Sequence, residues 1–222
     1  MSDTPRPGNA KFKKLTPVDP NSTNPYQLTE ADRTVIGNTT PKFSGGFGLN
    51  ATYKGFDMSM FFNFMYDFDV LNANKIMLTT WADNKENNFL MNIASDKRWR
   101  NFDDMGNEIR YSPEVLAEFN KNATMWNPTS IGRPICMSYA VEDGSFLRLN
   151  SATLGYTLPS VWTKKVGLSK VRFYVSGNNL FTLTGYSGYD PEVNIATGLT
   201  PNIDYNRYPR SRTYTFGAQL TF

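Results

Sequence analysis

The 222-residue sequence is rich in aromatic side chains (14%) and poor in charged ones (19%), which favours β structure with much aromatic surface. Its net charge of +3 is small and scattered, which excludes a polybasic surface for nucleic acid. The absence of histidine and the single Cys136 exclude Ser-His and Cys-His nucleophile pairs, internal disulfides and the usual zinc sites. The sequence therefore predicts neither an enzyme nor a metal or cofactor site.

Residues 1–40 contain many proline, asparagine and threonine residues without a sustained hydrophobic period, so they are predicted to form a loop. Residues 1–14 lack the apolar stretch of a signal peptide. Since an exported protein needs such a leader, we expect that the numbering starts at a mature chain or within a longer polypeptide.

From residue 43 onward, apolar residues alternate with small or polar ones, which is the period of a β-strand. The first two runs cover residues 43–53 and 56–66 and are joined by a tight turn at Lys54-Gly55. Each run has the length that a tilted strand needs to cross a bilayer, about 9–11 residues, whereas soluble strands are usually about half as long. Both runs are therefore predicted to be transmembrane strands.

Three more strands are predicted at residues 147–158, 171–176 and 213–222. In the first of these the alternation slips by one position, which indicates a β-bulge near Asn150-Ser151. Within the preceding connection, Ser112 and Pro113 favour the start of a short capped helix that runs to Asn120.

The connections alternate between short (54–55, 159–169) and long (69–144, 181–211). Outer-membrane barrels have short periplasmic turns and long extracellular loops. The predicted fold is therefore all-β, an antiparallel transmembrane β-barrel segment of about five long strands. Its predicted organisation is an extracellular loop at 1–40, followed by a barrel segment at 41–222 whose long connections are extracellular.

Five strands cannot close a barrel, for which about eight is the practical minimum. An open sheet in lipid would leave unpaired backbone groups along both edges. We therefore expect this chain to be part of a larger barrel.

Several motifs resemble the SusC/RagA family of TonB-linked outer-membrane proteins. They are DRTVIGN at 32–38, PKF at 41–43, YKGFD at 53–57, VEDGSFLRL at 141–149, TLGYTLP at 153–159, VRFYVSGNNLFT at 171–182, GYSGYDPEV at 185–193, YP at 208–209, RTYTFG at 212–217 and LTF at 220–222. The segment 69–135 departs from the family pattern, apart from Trp126-Asn127-Pro128.

The resemblance implies the C-terminal part of a 22-stranded TonB-dependent receptor in the bacterial outer membrane. Such a transporter has an N-terminal plug, is energised through TonB and is capped by a SusD-like lipoprotein lid. Its implied substrates are oligosaccharides or peptides. The implied partners are the remaining barrel and plug, the lid, TonB through the N-terminal part, the substrate and outer-membrane lipid, but not nucleic acid. We expect that this chain alone does not transport.

Two groups of aromatic and apolar residues are candidate functional residues. The terminal group looks like the signal that the barrel-assembly machinery reads, although the same residues would face lipid in any case; it comprises Tyr214, Phe216, Leu220 and Phe222. The loop group could stack on sugar rings or contact the lid, or could form a small core within the loop; it comprises Trp81, Trp99, Tyr111, Trp126 and Tyr139.

Charged residues on the polar side of the predicted strands, including Asp57, Arg148 and Arg172, are expected to line a water-filled lumen. Two alternatives belong to other classes. A soluble, aromatic-rich β-sandwich that binds carbohydrate would have shorter strands, and an outer-membrane hydrolase would need a nucleophile motif that the sequence lacks.

Overall fold

The strands of the protein follow the alternating runs of its sequence. A computed structural model describes residues 7–25, 27–80, 89–94, 97–130, 135–193 and 201–222. The strands in this described part are β1 (Phe43–Tyr53), β2 (Phe56–Tyr66), β3 (Asp69–Asn72), β4 (Val141–Asp143), β5 (Phe146–Thr157), β6 (Lys170–Thr184), β7 (Ile203–Asp204) and β8 (Thr213–Thr221). The α-helices there are α1 (Ala73–Met77), α2 (Met91–Ala94), α3 (Pro113–Asn120) and α4 (Ser160–Thr163).

Single turns of 3-10 helix lie at Glu30–Asp32, Pro128–Ser130, Ser138–Ala140 and Lys164–Val166. The chain divides into two compact units: the first contains residues 1–36 and 73–140, and the second contains residues 37–72 and 141–222. Among the described residues, no helix is both long and apolar enough to cross a membrane.

Five long strands of the second unit form one antiparallel sheet in the order β1-β2-β5-β6-β8. These strands are 9 to 15 residues long, as bilayer-crossing strands must be. At one end of the sheet the connections are 54–55 and 158–169, and we call this the short-turn end. At the other, the long-loop end, the chain leaves the sheet for residues 67–145 and 185–212.

The predicted β-bulge lies at Asn150. In the ladder between β2 and β5, Phe61 is opposite Ser151 and Phe62 is opposite Leu149, so Asn150 opposes no residue of β2. The ladder between β5 and β6 shifts between the same two residues of β5. The slip in the sequence pattern thus marked a real irregularity of the sheet.

Strand β6 is longer than predicted, because it runs from Lys170 to Thr184 instead of ending at residue 176. Opposite the bulge, Asn179 adopts a left-handed conformation with φ of 53°. The alternation of the sequence breaks at this residue and resumes beyond it. The loop predicted to begin at 181 therefore begins after Thr184.

The register places the apolar residues of neighbouring strands on one side of the sheet, the apolar face. Directly opposed pairs on this face include Phe43–Tyr66, Phe47–Phe62, Phe56–Tyr156, Tyr156–Phe173 and Val175–Phe216. The Phe56 and Tyr156 rings lie 4.4 Å apart between centroids, and Phe216 is 77% exposed. The face is therefore continuous across all five strands and open to its surroundings.

A second, three-stranded sheet with the order β4-β3-β7 forms at the long-loop end. Strand β3 is antiparallel to β4 and parallel to β7. The core beneath these segments consists of Phe68, Val70, Phe146, Tyr186 and Val193. The predicted loops 69–144 and 181–211 thus contain regular structure.

In the first unit, α3 occupies the predicted span and has proline in its first turn. The predicted cap is wrong in one respect, because the Ser112 side chain makes no capping hydrogen bond. Instead, the buried Asn120 at the end of α3 fixes the loop: its Oδ1 accepts from Arg100 N at 2.6 Å, and its Nδ2 donates to Arg100 O at 2.9 Å.

Candidate functional site

An ion pair crosses the polar face of the main sheet near the short-turn end. Arg172 of β6 donates from Nε and Nη2 to the two carboxylate oxygens of Asp57 on β2, at 2.9 and 2.5 Å. Strand β5 lies between them, and Gly155 of β5 is directly opposite Asp57. A Cβ atom at residue 155 would lie 2.6 Å from Asp57 Oδ1. The missing side chain of Gly155 therefore leaves the space that this ion pair occupies.

A second ionic group lies at the long-loop end, where Arg148 of β5 is only 2% exposed. Its Nη2 donates to Asp190 Oδ1 at 2.5 Å and lies 3.7 Å from Glu192 Oε2. Arg210 Nη2 donates to the other oxygen of Glu192 at 2.7 Å. The buried guanidinium is thus neutralised by carboxylates from the loop that follows β6.

The carboxyl group of Asp190 is held in its ionised form. Burial by itself opposes ionisation, but hydrogen bonds from Arg148 and from the backbone of Glu192 and Arg210 outweigh it. The pKa of Asp190 consequently lies below its ordinary value. This loop is therefore fastened to β5 by a charge-assisted bond at neutral pH.

A network of polar side chains fastens the same loop to the small sheet. The hydroxyl of buried Tyr186 donates to Asp204 Oδ2 at 2.7 Å, and Glu142 accepts from Ser187 N and Oγ at 3.0 and 2.8 Å. Burial, followed by the Asp204 carboxylate, raises the pKa of the Tyr186 hydroxyl. The hydroxyl therefore remains a donor over the physiological range.

Two carboxylates between the end of β2 and the start of β3 fasten the segment that leads into β1. Asp67 forms an ion pair with Lys42, and Asp69 Oδ2 accepts from Asn38 N at 2.6 Å. These two residues bind other parts of the chain, so their contacts give no indication of catalysis.

The terminal candidates Tyr214, Phe216 and Leu220 all lie on the apolar face of β8, where Phe216 is opposite Val175. All three side chains are exposed, as is that of Phe222. The structure therefore brings these residues together on the face that would meet lipid. Their role as an assembly signal stays a prediction.

Two of the loop aromatics pack against each other in the first unit. The rings of Trp126 and Tyr139 lie 4.9 Å apart in an edge-to-face arrangement, and Lys75 Nζ lies 4.4 Å from the centre of the Tyr139 ring. Trp126 Nε1 also donates to Thr79 O at 3.2 Å. Trp126 and Tyr139 therefore form part of a small core within the loop.

The other loop aromatics are separate from this pair. Trp99 is partly buried and packs so closely on Gly8 that a Cβ there would overlap the indole ring. Tyr111 is 79% exposed and lies beside the Arg110 guanidinium. Trp81 lies outside the described residues. Tyr111 is thus the described member of the group with most of its ring available to a ligand or lid.

Sequence reasoning placed Arg148 and Arg172 on the polar face but missed their partners. The signal for Asp57 was available, because Asp57 is the second residue of β2 and Arg172 is the second residue of the run predicted to begin at 171. For Asp190 the only signal was a pair of carboxylates in the motif GYDPEV. Within the described residues, no group of three or more His, Cys, Asp and Glu side chains could hold a metal ion.

Comparisons with known proteins relate this chain to one class of membrane protein. TonB-dependent receptor P3 of Formosa agariphila is 35% identical over 202 residues, which are 88% of this chain and 18% of the relative. TonB-dependent receptor SusC of Bacteroides thetaiotaomicron is 38% identical over 88 residues, which are 38% of this chain and 8% of the relative. No family model matches the sequence.

The structural comparison gives the same result. A structure of the RagAB peptide transporter is 26% identical to this chain, with a TM-score of 0.68, and the match covers 89% of this chain and 19% of that one. The RagAB peptide importer in its open-open state gives a TM-score of 0.65, and this match also covers 89% of this chain and 19% of that one. The matches to receptor P3 and to RagAB cover most of this chain. The chain itself spans only about a fifth of the length of those proteins.

Proposed function

Since the chain is homologous to SusC-type TonB-dependent receptors and has the fold of part of their barrel, we propose that it forms the C-terminal strands of an outer-membrane importer. In this proposal the apolar face meets lipid and the polar face lines the interior. The short-turn end faces the periplasm and the long-loop end faces the outside, as is general for outer-membrane barrels.

The observation that carries the proposal is the continuous apolar face of five bilayer-length strands. In a soluble β-sandwich, a second sheet would cover this face, with side chains interdigitating at a spacing of about 10 Å. Here the large side chains of the face, Phe216 among them, are exposed in the described structure. The ion pair between Asp57 and Arg172, by contrast, lies on the opposite face. This division of apolar and charged groups supports a membrane barrel over the carbohydrate-binding sandwich.

The proposed cargo is an oligosaccharide or a peptide, delivered through a SusD-like lid lipoprotein and imported with energy from TonB. The resemblance to SusC supports the lid, and the RagAB transporter, which is a peptide importer, supports the peptide alternative. Exposed Tyr111 and the other loop aromatics supply flat surfaces of the kind that stack on sugar rings or pack on peptide side chains.

The proposal is tested by deleting the gene that encodes this chain together with its neighbouring lid gene. Growth is then measured on a panel of single glycans and peptides. The expected result is loss of growth on one class of nutrient, with recovery when both genes are restored. A restored gene that lacks the codons for β8 should fail to rescue, because the sheet loses its last strand. Unchanged growth on every nutrient of the panel, with normal uptake, would contradict the proposal.

A further inference from the structure

The connection between β5 and β6 is a rigid, well-formed turn at the short-turn end. Helix α4 continues into the 3-10 turn Lys164–Val166 and ends at Gly167, whose φ of 74° is left-handed. Leu168 N then donates to Thr163 O at 3.1 Å, which closes the turn as a left-handed glycine cap does. The backbone of this turn is therefore closed on itself by its own hydrogen bonds.

The turn presents an apolar cluster to its surroundings. Val161, Trp162 and Val166 are all exposed, whereas Thr163 between them is buried. Trp162 and Val166 are four positions apart, so they lie on one side of the turn. Three large apolar side chains on so short a turn need a partner, because nothing in the described structure covers them.

This cluster lies beside the apolar face of the main sheet. Helix α4 is in contact with β6. On that face of β6, Val171 next to the turn is 6% exposed, whereas Phe173 one step further along is 51% exposed. The turn thus adjoins the end of the apolar face.

The same turn is cationic. Residues 158–171 contain Lys164, Lys165 and Lys170 and no carboxylate. The Lys54-Gly55 turn lies alongside, since Thr157 N donates to Gly55 O at 2.8 Å, and it adds a fourth lysine. The nearby carboxylate of Asp57 is already bonded to Arg172. The rim of the sheet at this end therefore combines exposed apolar side chains with an excess of positive charge.

We propose that this turn is an interfacial membrane anchor, in which Trp162, Val161 and Val166 insert at the lipid boundary and the lysines bind anionic phospholipid head groups. Tryptophan and lysine at the edge of an apolar band have this role in membrane proteins generally, and positive residues near the surface attract anionic lipids. The occupant is lipid because the cluster adjoins the apolar face and the neighbouring lysines are opposite in charge to the head groups. The inference rests on the proposed function.

The insertion is tested in the full-length receptor, reconstituted in nanodiscs. Trp162→Cys, in a background in which Cys136 and any other cysteines are replaced, carries an environment-sensitive fluorophore. Tyr208→Cys, an exposed position at the long-loop end, is the matched control. We expect the label at 162, but not the label at 208, to be shielded from water and quenched by lipids with a nitroxide near the head group. Equal exposure of the two labels to water would overturn the proposal.

The lysines are tested by native mass spectrometry of receptor that carries bound lipid. Lys164→Gln/Lys165→Gln is compared with Lys11→Gln/Lys13→Gln, an exposed lysine pair elsewhere in the chain. The first pair should lower retention of phosphatidylglycerol by about fivefold per lysine at low salt, while phosphatidylcholine is unaffected. Competition by soluble glycerophosphate as strong as that by the lipid, or equal effects of the two variants, would contradict the inference.

The two proposals can fail separately. A receptor that does not enter the membrane fraction at all contradicts the proposed function. A receptor that forms a heat-modifiable barrel but leaves residue 162 in water contradicts only the anchor. Shielding of residue 162 without quenching by the nitroxide lipids would show that protein covers the turn, which also overturns the anchor.

Discussion

Gly155 has a hydrogen atom where other residues have a side chain, and this leaves room for an ion pair on the polar face. Asp57 and Arg172 are separated by a whole strand, and their contact passes over this residue. The guanidinium and the carboxylate on the polar face satisfy each other, and both side chains stay partly exposed. On the lipid face, either charge would be costly.

We predict that Gly155→Ala weakens this contact, because the added Cβ would lie 2.6 Å from Asp57 Oδ1. The full-length receptor should lose about 1–3 kcal/mol of stability, as overpacked sites do. The measurement is the temperature at which the barrel unfolds, seen as the loss of its heat-modifiable electrophoretic mobility. Gly48→Ala is the matched control, since the nearest atom to its Cβ would be 3.6 Å away, and it should leave that temperature almost unchanged.

We predict that Phe216→Arg prevents membrane assembly of the full-length receptor, because an arginine on the proposed lipid face costs about 2–4 kcal/mol near mid-membrane. Thr215→Arg, the adjacent residue on the polar face, should be tolerated, since it is opposite Ser176. The amount of heat-modifiable protein in the outer-membrane fraction is the readout, and equal assembly of the two variants would show that the facing is wrong.

At the scale of elements, the loop that follows β6 is held by charged and polar contacts as well as by its small core. Arg148 on β5 meets Asp190, and Tyr186 meets Asp204 of β7. The loop is thereby fixed both to the main sheet and to the small one. In the described part of this loop, these pairs are contacts that hold it against both sheets.

We predict that Arg148→Met and Asp190→Asn each loosen this loop by about 3 kcal/mol, because each leaves a buried polar partner unsatisfied. The double variant should lose less than the sum of the two single ones, since no unpaired charge remains. Arg210→Gln, which removes a more exposed contact with Glu192, should have little effect. Hydrogen exchange of residues 185–193 measures all four variants, and strict additivity would contradict the coupling.

The same pair predicts a pH dependence. Because the folded pKa of Asp190 lies below its ordinary value of 3.8, its contribution to stability is complete at neutral pH. The contribution is lost as the pH falls through 3.8 and towards the lower folded value. Hydrogen exchange of residues 185–193 should therefore accelerate in this acid range in the wild-type receptor. The Asp190→Asn variant should lack this step, and an identical step in both proteins would assign it to another group.

At the scale of the whole molecule, the main sheet has two edges. In the described structure, β1 pairs with β2 alone and β8 pairs with β6 alone. Each edge therefore carries backbone N–H and C=O groups that have no strand partner, at several kcal/mol for each group in lipid. Both edges must therefore be paired with a strand for the sheet to reside in a membrane.

We predict that residues 1–222, expressed alone with an export signal, do not form a monodisperse, heat-modifiable membrane species. Co-expression with the remaining strands of the receptor should restore such a species, because both edges then find partners. Electrophoresis of heated and unheated samples, with size-exclusion chromatography in detergent, distinguishes these outcomes. A closed barrel formed by the chain alone would show that its edges pair with each other.

The sequence by itself determined the long strands, the bulge at Asn150 and which side chains share a face. A period of two is a local property, so it can be read without knowing what lies opposite each strand. Helix α3 was likewise marked by the proline in its first turn. The resemblance to SusC/RagA proteins, carried by motifs in these same segments, was confirmed by the comparisons.

Only the tertiary structure decided the contacts between distant segments. Arg172 and Asp57 are 115 positions apart, Arg148 and Asp190 are 42 apart, and Trp126 meets Tyr139 inside a loop without a regular pattern. The continuation of β6 past Asn179 was hidden because this polar residue, which lies opposite the bulge of β5, interrupts the alternation of the sequence. Such contacts depend on register and strand order. These bring together residues that are far apart in the sequence and that no local pattern connects.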